Sequence, residues 1–199
     1  MLTETHQHWP SSARPRGHVL IEVMASILIL AVGLLGVAKL QASTRQLEME
    51  SYQRAQAIIL LQDMVARLSS NNGNAAPCYA FTTGASSPYL GHGGNPPVGC
   101  GNGTISQTNK AAADLAAWHS MLLGAGEQDG GANTGAMIGA RGCVNFNAAT
   151  NDYTITVVWQ GLVQTAAPSA GLGCAAGMFG DESQRRAVSA VVFIPNLAP

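Results

Sequence analysis

The longest hydrophobic run in the chain lies near its N-terminus, between Val19 and Ala38. A helix of about 20 residues, rising about 1.5 Å per residue, spans about 30 Å, which is the thickness of a bilayer core. A single carboxylate, Glu22, interrupts the run. The pattern therefore predicts a transmembrane helix over about 19–40, and an acid inside such a helix is a candidate functional residue.

After this run the pattern becomes amphipathic and extends the helix to about Ser70. Apolar residues recur there at spacings near three, four and seven, which places them on one helical face; they are Leu47, Ile58, Leu61, Val65 and Leu68. Asn71, Asn72 and Gly73 predict the end of the helix. The expectation is one helix over 18–70, half of it in the membrane and half packed on a globular domain.

Two further elements are expected before the C-terminal third. Residues 71–108 are rich in Gly, Pro and Asn and predict a long loop, which a disulfide would hold in place. A short helix should follow, capped by Thr108 or Asn109 and ending near Leu123. Its apolar face would carry Leu115, Trp118 and Leu122, and residues 130–135 indicate a turn.

In the C-terminal third the period changes from 3.6 to 2, which is typical of strands. Strands are predicted over about 138–146, 153–160 and 186–194, the last after a Gly-rich segment. The expected fold is α+β, with a long N-terminal helix packed on a small antiparallel sheet and a disulfide-stapled loop region. The expected organisation is a leader at 1–17, the helix at 18–70 and a head domain at 71–199.

Composition restricts the function classes. Of 199 residues 47% are apolar and 11% charged, which suits one modest domain plus a membrane segment. Ten basic and eleven acidic residues leave no electrostatic footprint for nucleic acid. Arg14 and Arg16 precede the apolar run and should stay in the cytoplasm, so the rest of the chain is exported.

Four cysteines lie on the exported side: Cys78, Cys100, Cys143 and Cys174. An oxidising compartment favours disulfides, and the absence of a Cys-x-x-Cys unit counts against zinc or thioredoxin-like chemistry. Four cysteines allow three connectivities. Proximity in sequence favours Cys78 with Cys100 and Cys143 with Cys174.

The segment Gly17-His18-Val19-Leu20-Ile21-Glu22, followed by the apolar run, resembles the class III signal of type IV prepilins. The resemblance implies cleavage by a prepilin peptidase between Gly17 and His18, with N-methylation of the new terminus and a Glu at its fifth position. His18 stands where that family usually has Phe. The implied role of Glu22 is in assembly, where it pairs with the methylated terminus, and the implied partners are other major and minor pilins and the inner-membrane assembly platform.

Features of the head resemble the PilV group of type IV pilus minor pilins. They are Asp114-Leu115 and Trp118 in the short helix, the strand from Tyr153 to Trp159, Cys174, and Arg185-Arg186 before the last strand. The resemblance implies a pilin-like fold and a minor subunit that takes part in pilus assembly and initiation and modulates motility and adhesion. It also implies a bacterial inner-membrane protein with a periplasmic head that later joins the pilus at the cell surface.

No catalytic, cofactor-binding or metal-binding residues are expected, and the chain is not expected to be an enzyme. His92 and His119 have no acid or second His at ligand spacing and are expected at the surface. Binding of a calcium ion by Asp181 and Glu182 is a minority hypothesis, because two adjacent acids supply far fewer oxygen ligands than such a site needs. Arg185 and Arg186 are expected to be a solvated pair, at most one of them pairing with Asp114 or Asp152, whereas Trp118, Tyr153 and Trp159 should be core residues.

Two alternative functions stay open. The first is a minor pseudopilin of a type II secretion system, which uses the same signal and layout. The second is a membrane-tethered periplasmic binding protein or enzyme.

Overall fold

A computed structural model describes residues 18–71, 73–135 and 137–194. The predicted leader at 1–17, with Gly17, lies outside the described residues. The chain divides into two compact units, residues 1–45 and 46–199. The described part of the first unit is continuous helix, and the side chains of residues 19–45 are all exposed.

The helices are α1 (His18–Ser70) and α2 (Ile105–Leu122), with short 3₁₀ helices at Gly73–Tyr79 and Glu182–Gln184. The strands are β1 (Leu90–Gly91), β2 (Gln128–Asp129), β3 (Ala132–Asn133), β4 (Arg141–Asn147), β5 (Asp152–Gln160) and β6 (Arg185–Phe193). Strands β1, β4, β5 and β6 form an antiparallel sheet in that order, and β2 pairs with β3. The expected α+β class, the helix over 18–70 and the three long strands are confirmed.

The buried face of α1 within the second unit differs from the predicted stripe. Ala57, Met64 and Leu68 are fully buried, whereas the predicted Leu47 and Ile58 are exposed. The prediction is right for Leu61 and Leu68, which are buried, and wrong for Leu47 and Ile58, because it followed the largest apolar side chains. The face that packs includes the small Ala57 and, seven residues or about two turns further along, Met64.

The start of α2 also differs from the prediction. Thr104 is the N-cap, and it forms a capping box in which its hydroxyl accepts from the Gln107 N–H while the Gln107 side chain accepts from the Thr104 N–H. The predicted caps, Thr108 and Asn109, lie inside the helix. The predicted turn at 130–135 overlaps the β2–β3 hairpin, whose connecting residues Gly130 and Gly131 have positive φ values.

Trp118 joins three elements of the core. Its ring is fully buried, and its Nε1–H donates to the main-chain oxygen of Leu60 on α1 at 2.9 Å. The ring lies against Gly142 of β4, where a Cβ would overlap the indole and lie 3.0 Å from Leu122 Cδ1. Trp118, Tyr153 and Trp159 are all buried, so their predicted place in the core is confirmed.

A buried polar network ties α2 to α1. Arg67 donates to Asp114 Oδ1 at 2.9 Å and to Asp63 Oδ2 at 2.6 Å, and the Tyr79 hydroxyl donates to Asp114 Oδ2 at 2.6 Å. Burial is the largest cause that raises the pKa of Tyr79, and the hydrogen bond to Asp114 is the second. Asn71 donates to the Tyr79 oxygen, so each member of this network has a partner.

The second face of the sheet is covered by the Gly-rich segment between β5 and β6. Cys174 in this segment is bonded to Cys143 of β4, and Val158, Ala175 and Phe179 complete a second small core. The other disulfide joins Cys78 to Cys100, so both pairs are those that proximity in sequence favours. With both faces covered, β5 is buried along most of its length rather than at alternate residues.

Arg141 helps to hold that covering segment. Its guanidinium lies 4.7 Å from the ring centroid of Phe179 and 5.4 Å from that of Tyr89. Its Nη1 donates to the Gly139 carbonyl oxygen at 2.9 Å. The cation–π contact with Phe179 links β4 to the segment, and the contact with Tyr89 links β4 to the residue before β1.

Arg185 and Arg186 are not the solvated pair that was predicted, and neither contacts Asp114 or Asp152. Arg185 is only 3% exposed, and it bonds Glu182 at 2.6 Å as well as the carbonyl oxygens of Leu172 and Cys174. Arg186 pairs with Glu50 of α1 at 3.2 Å. The prediction failed because Glu50 and the carbonyl oxygens of Leu172 and Cys174 come close to the two arginines only in the folded chain, although Glu182 is three residues from Arg185.

We expect Gly142→Ala to lower the free energy of unfolding by about 1–3 kcal/mol, because the added methyl overpacks the fully buried Trp118 ring. Gly126→Ala is the matched control, since a Cβ there meets nothing within 4 Å. The measurement is denaturant unfolding of the detergent-solubilised full chain, followed by tryptophan fluorescence. Equal stability of the two variants would contradict the packing described for Trp118.

Candidate functional site: the exposed apolar helix and Glu22

The first half of α1 exposes large apolar side chains on all sides. Val19 is 65% exposed and Leu35 is 71% exposed, with similar values along the run between them. By length and composition α1 is able to cross a membrane, and it is the one described helix with this property. Such a surface is stable in lipid or against other apolar helices, and is costly in water.

Glu22 is the single charged residue between Val19 and Ala38. Its main-chain oxygen accepts a hydrogen bond of 2.8 Å from the hydroxyl of Ser26, one turn later. No described donor reaches the Glu22 carboxylate. The Ser26 hydroxyl is thus satisfied by the helix backbone, while the carboxylate is left free to find a partner outside the helix.

Three small or polar residues share one side of the helix with Glu22, together with the larger Ile29. At about 100° per residue, Ser26, Gly33 and Gly36 lie within about 40° of the direction of Glu22. A Cβ added at Gly33 or Gly36 would meet nothing within 4 Å. These two glycines, about 16–21 Å along the helix from Glu22, would let a second helix approach closely at their own level of a membrane.

The described residues of the site come from one short segment, and they are placed there by helix periodicity alone. His18 begins α1, and its side chain is outside the description. Sequence analysis predicted Gly17, His18 and Glu22, but it did not single out Ser26. The signal available for Ser26 was its spacing of four residues from the acid.

The head shows structural roles for the polar residues that were weighed as ligands. His92 is exposed, whereas His119 is partly buried and its Nδ1 accepts from the Gly91 N–H at 3.1 Å, so His119 is less exposed than predicted. Burial lowers the pKa of His119. A neutral imidazole is required for this bond, because Nδ1 acts as the acceptor.

Asp181 and Glu182 are used inside their own loop. Asp181 accepts from the Ser183 N–H at 2.9 Å. Glu182 accepts from the Gly177 N–H at 2.7 Å and pairs with Arg185. Both contacts lower the pKa of Glu182, and the hydrogen bond from Gly177 has the larger effect. Within the described ranges no group of three or more His, Cys, Asp or Glu side chains is placed to hold a metal ion.

One cavity of about 380 Å³ lies beside the second half of α1. Its lining combines apolar and polar side chains: Glu48, Met49, Tyr52, Gln53, Thr134 and Met137. It contains one carboxylate and no His, Cys or Lys. The lining therefore lacks the paired acid and base, or nucleophile and base, that a hydrolytic site needs.

No protein-family model, curated protein or solved structure matches this chain.

Proposed function

We propose that this chain is the precursor of a minor type IV pilus subunit. Prepilin peptidase cleaves it between Gly17 and His18, and the mature chain then joins the pilus, where it takes part in assembly and initiation and modulates motility and adhesion. The observation that carries the proposal is the first half of α1. It is helical from His18, and its apolar run from Val19 to Ala38 holds one charge, Glu22, at the fifth position of the cleaved chain.

The chemistry of Glu22 supports this role. A carboxylate in hydrocarbon costs several kcal/mol, so an acid is retained in such a helix where it finds a partner. Cleavage before His18 creates an ammonium group at the membrane end of the same helix or of an adjacent one. Pairing of this group with Glu22 satisfies both charges, whereas loss of either leaves the other buried and unpaired.

The pairing would also set how neighbouring subunits fit together. Two apolar helices in lipid can slide past each other with little change in energy, because every position offers similar contacts. A single ion pair at one level favours one offset. Gly33 and Gly36, about 16–21 Å further along the helix, would allow a neighbouring helix to approach closely at that level.

The proposed partners follow from these steps. They are the prepilin peptidase, other major and minor pilins, and the inner-membrane assembly platform. The chain is placed in the bacterial inner membrane with a periplasmic head, and afterwards in the pilus at the cell surface. In this proposal the head acts through its surfaces and carries no catalytic or cofactor-dependent step.

Gly17→Ala should prevent removal of the leader, because cleavage in the prepilin family, whose signal this segment resembles, depends mainly on the Gly before the cut. N-terminal mass spectrometry of the membrane-extracted chain should find the full precursor, whereas the natural sequence should begin at methylated His18. Gly101→Ala, where an added Cβ meets nothing within 4 Å, is the control and should be processed normally.

Normal removal of the leader from the Gly17→Ala variant would exclude the interpretation of this chain as a prepilin. An intact natural precursor that remains functional would instead favour a membrane-tethered periplasmic binding protein or enzyme. Deleting either the pilus machinery or the type II secretion machinery distinguishes a minor pilin from a minor pseudopilin. Loss of the machinery that uses the subunit should leave the subunit in the membrane.

Glu22→Gln should leave insertion and cleavage intact but reduce incorporation into filaments by about tenfold or more, because it removes the charge that pairs with the new terminus. Glu48→Gln, an exposed acid on the same helix, is the control and should incorporate normally. Quantitative immunoblotting of purified filaments against membranes makes the measurement. Unchanged incorporation of Glu22→Gln would remove the proposed role of this carboxylate.

A further inference from the structure

Strand β6 forms one open edge of the main sheet. It pairs along nine residues with β5, from Arg185 opposite Gln160 to Phe193 opposite Asp152. No hydrogen bond from any other described residue reaches the main chain of 187–193. Alternate residues of an edge strand direct their N–H and C=O groups away from the sheet, so β6 presents a row of these groups that pairs with no residue in the described ranges.

The opposite edge of the same sheet is protected. Strand β1 pairs with the start of β4, and Thr82 continues the coverage. The Thr82 N–H donates to the Val144 oxygen at 3.1 Å, and the Thr82 hydroxyl accepts from the Val144 N–H at 3.1 Å. Asn145 then donates to the Thr82 carbonyl oxygen at 3.0 Å. The exposed backbone is therefore a property of β6 and not of the sheet in general.

Proteins commonly protect an open edge with Lys, Pro, inward charges or a bulge. The segment Ala187–Phe193 contains no Pro and no charged residue. The guanidinium groups of Arg185 and Arg186, at the start of β6, are held by Glu182 and Glu50. Nothing in this strand disfavours the addition of another strand.

The side chains of β6 indicate what would fit. Ser189, Val191 and Phe193 lie on one face at alternate positions, and Val191 and Phe193 are 66% and 62% exposed. A strand added here would place its own alternate side chains beside these two. Apolar residues are favoured at those positions, and a charged residue would lose hydration without gaining a partner.

We propose that β6 is a docking edge to which an extended, uncharged segment of a different pilus subunit adds as a fifth strand of the sheet. This inference rests on the proposed function, which supplies the neighbour. Helix packing in the membrane or filament holds adjacent heads together, and the resulting high effective concentration allows a short strand to pair. Main-chain hydrogen bonds provide the affinity, and the apolar pair Val191 and Phe193 provides selectivity.

The test places a photoactivatable benzoylphenylalanine at Ser189 of the full-length chain, in cells that assemble the filament. A second chain carries the same group at Asp129, an exposed residue of β2, as the control. Purified filaments are irradiated, and the crosslinked peptides are identified by mass spectrometry. The expected product joins position 189 to an uncharged extended segment of another pilus subunit, with little product from position 129.

Two variants test whether the product depends on the edge itself. Val191→Lys should reduce the crosslink by about tenfold, because a lysine on an edge strand opposes pairing. Val191→Thr keeps a β-branched residue and should preserve it. Both replace an exposed side chain on the outer face, so the head should retain its two disulfides in non-reducing peptide maps.

Four outcomes would overturn the inference. They are a crosslink to a second copy of this chain, equal products from positions 129 and 189, no product from chains present in the filament, or an unchanged yield in Val191→Lys. Absence of the chain from filaments is a different result, because it contradicts the proposed function on which the inference rests.

Discussion

The head is organised around the indole of Trp118. Its N–H reaches the Leu60 carbonyl of α1, and its ring fills the space above Gly142 of β4, so one side chain fixes α2 against both a helix and the sheet. The contact requires a glycine at this position of β4, and it requires a main-chain carbonyl oxygen of α1 that the indole N–H can reach. It also makes the second half of α1 part of the head, which explains why the compact unit begins at residue 46 rather than after the helix.

Most elements of this fold could be predicted because each carries a long periodic signal. The helix over 18–70 and the strands ending near Gln160 and Phe193 extend far enough for the pattern to be unambiguous. The start of α2 was misplaced, although the sequence carries a signal for it: Thr104 has Gln107 at the spacing of a capping box, whereas Thr108 has Ala111 there. The buried face of α1 was partly misassigned, because packing there selects shape, with Ala57 inside and Ile58 outside.

The candidate site was more accessible from sequence than the packing of the head. Glu22 and its apolar surroundings lie in one helical segment, so their placement needs no tertiary information. Arg185 shows the opposite case: its burial depends on Glu182 and on the carbonyl oxygens of Leu172 and Cys174. Nor could the open edge be predicted, because a strand pattern states which residues share a face and not whether a second neighbour is present.

Helix α1 exposes apolar side chains and one carboxylate, whereas the edge of β6 exposes main-chain N–H and C=O groups. The two surfaces therefore differ in how well they can fix the register of a neighbouring subunit. The apolar surface of α1 is non-directional, so its register with a neighbour depends on the charge at Glu22. The edge of β6 is directional but repeats every two residues, so an uncharged strand can pair in several offsets. The β6 edge alone therefore does not select one offset, whereas a single charge in an apolar helix does.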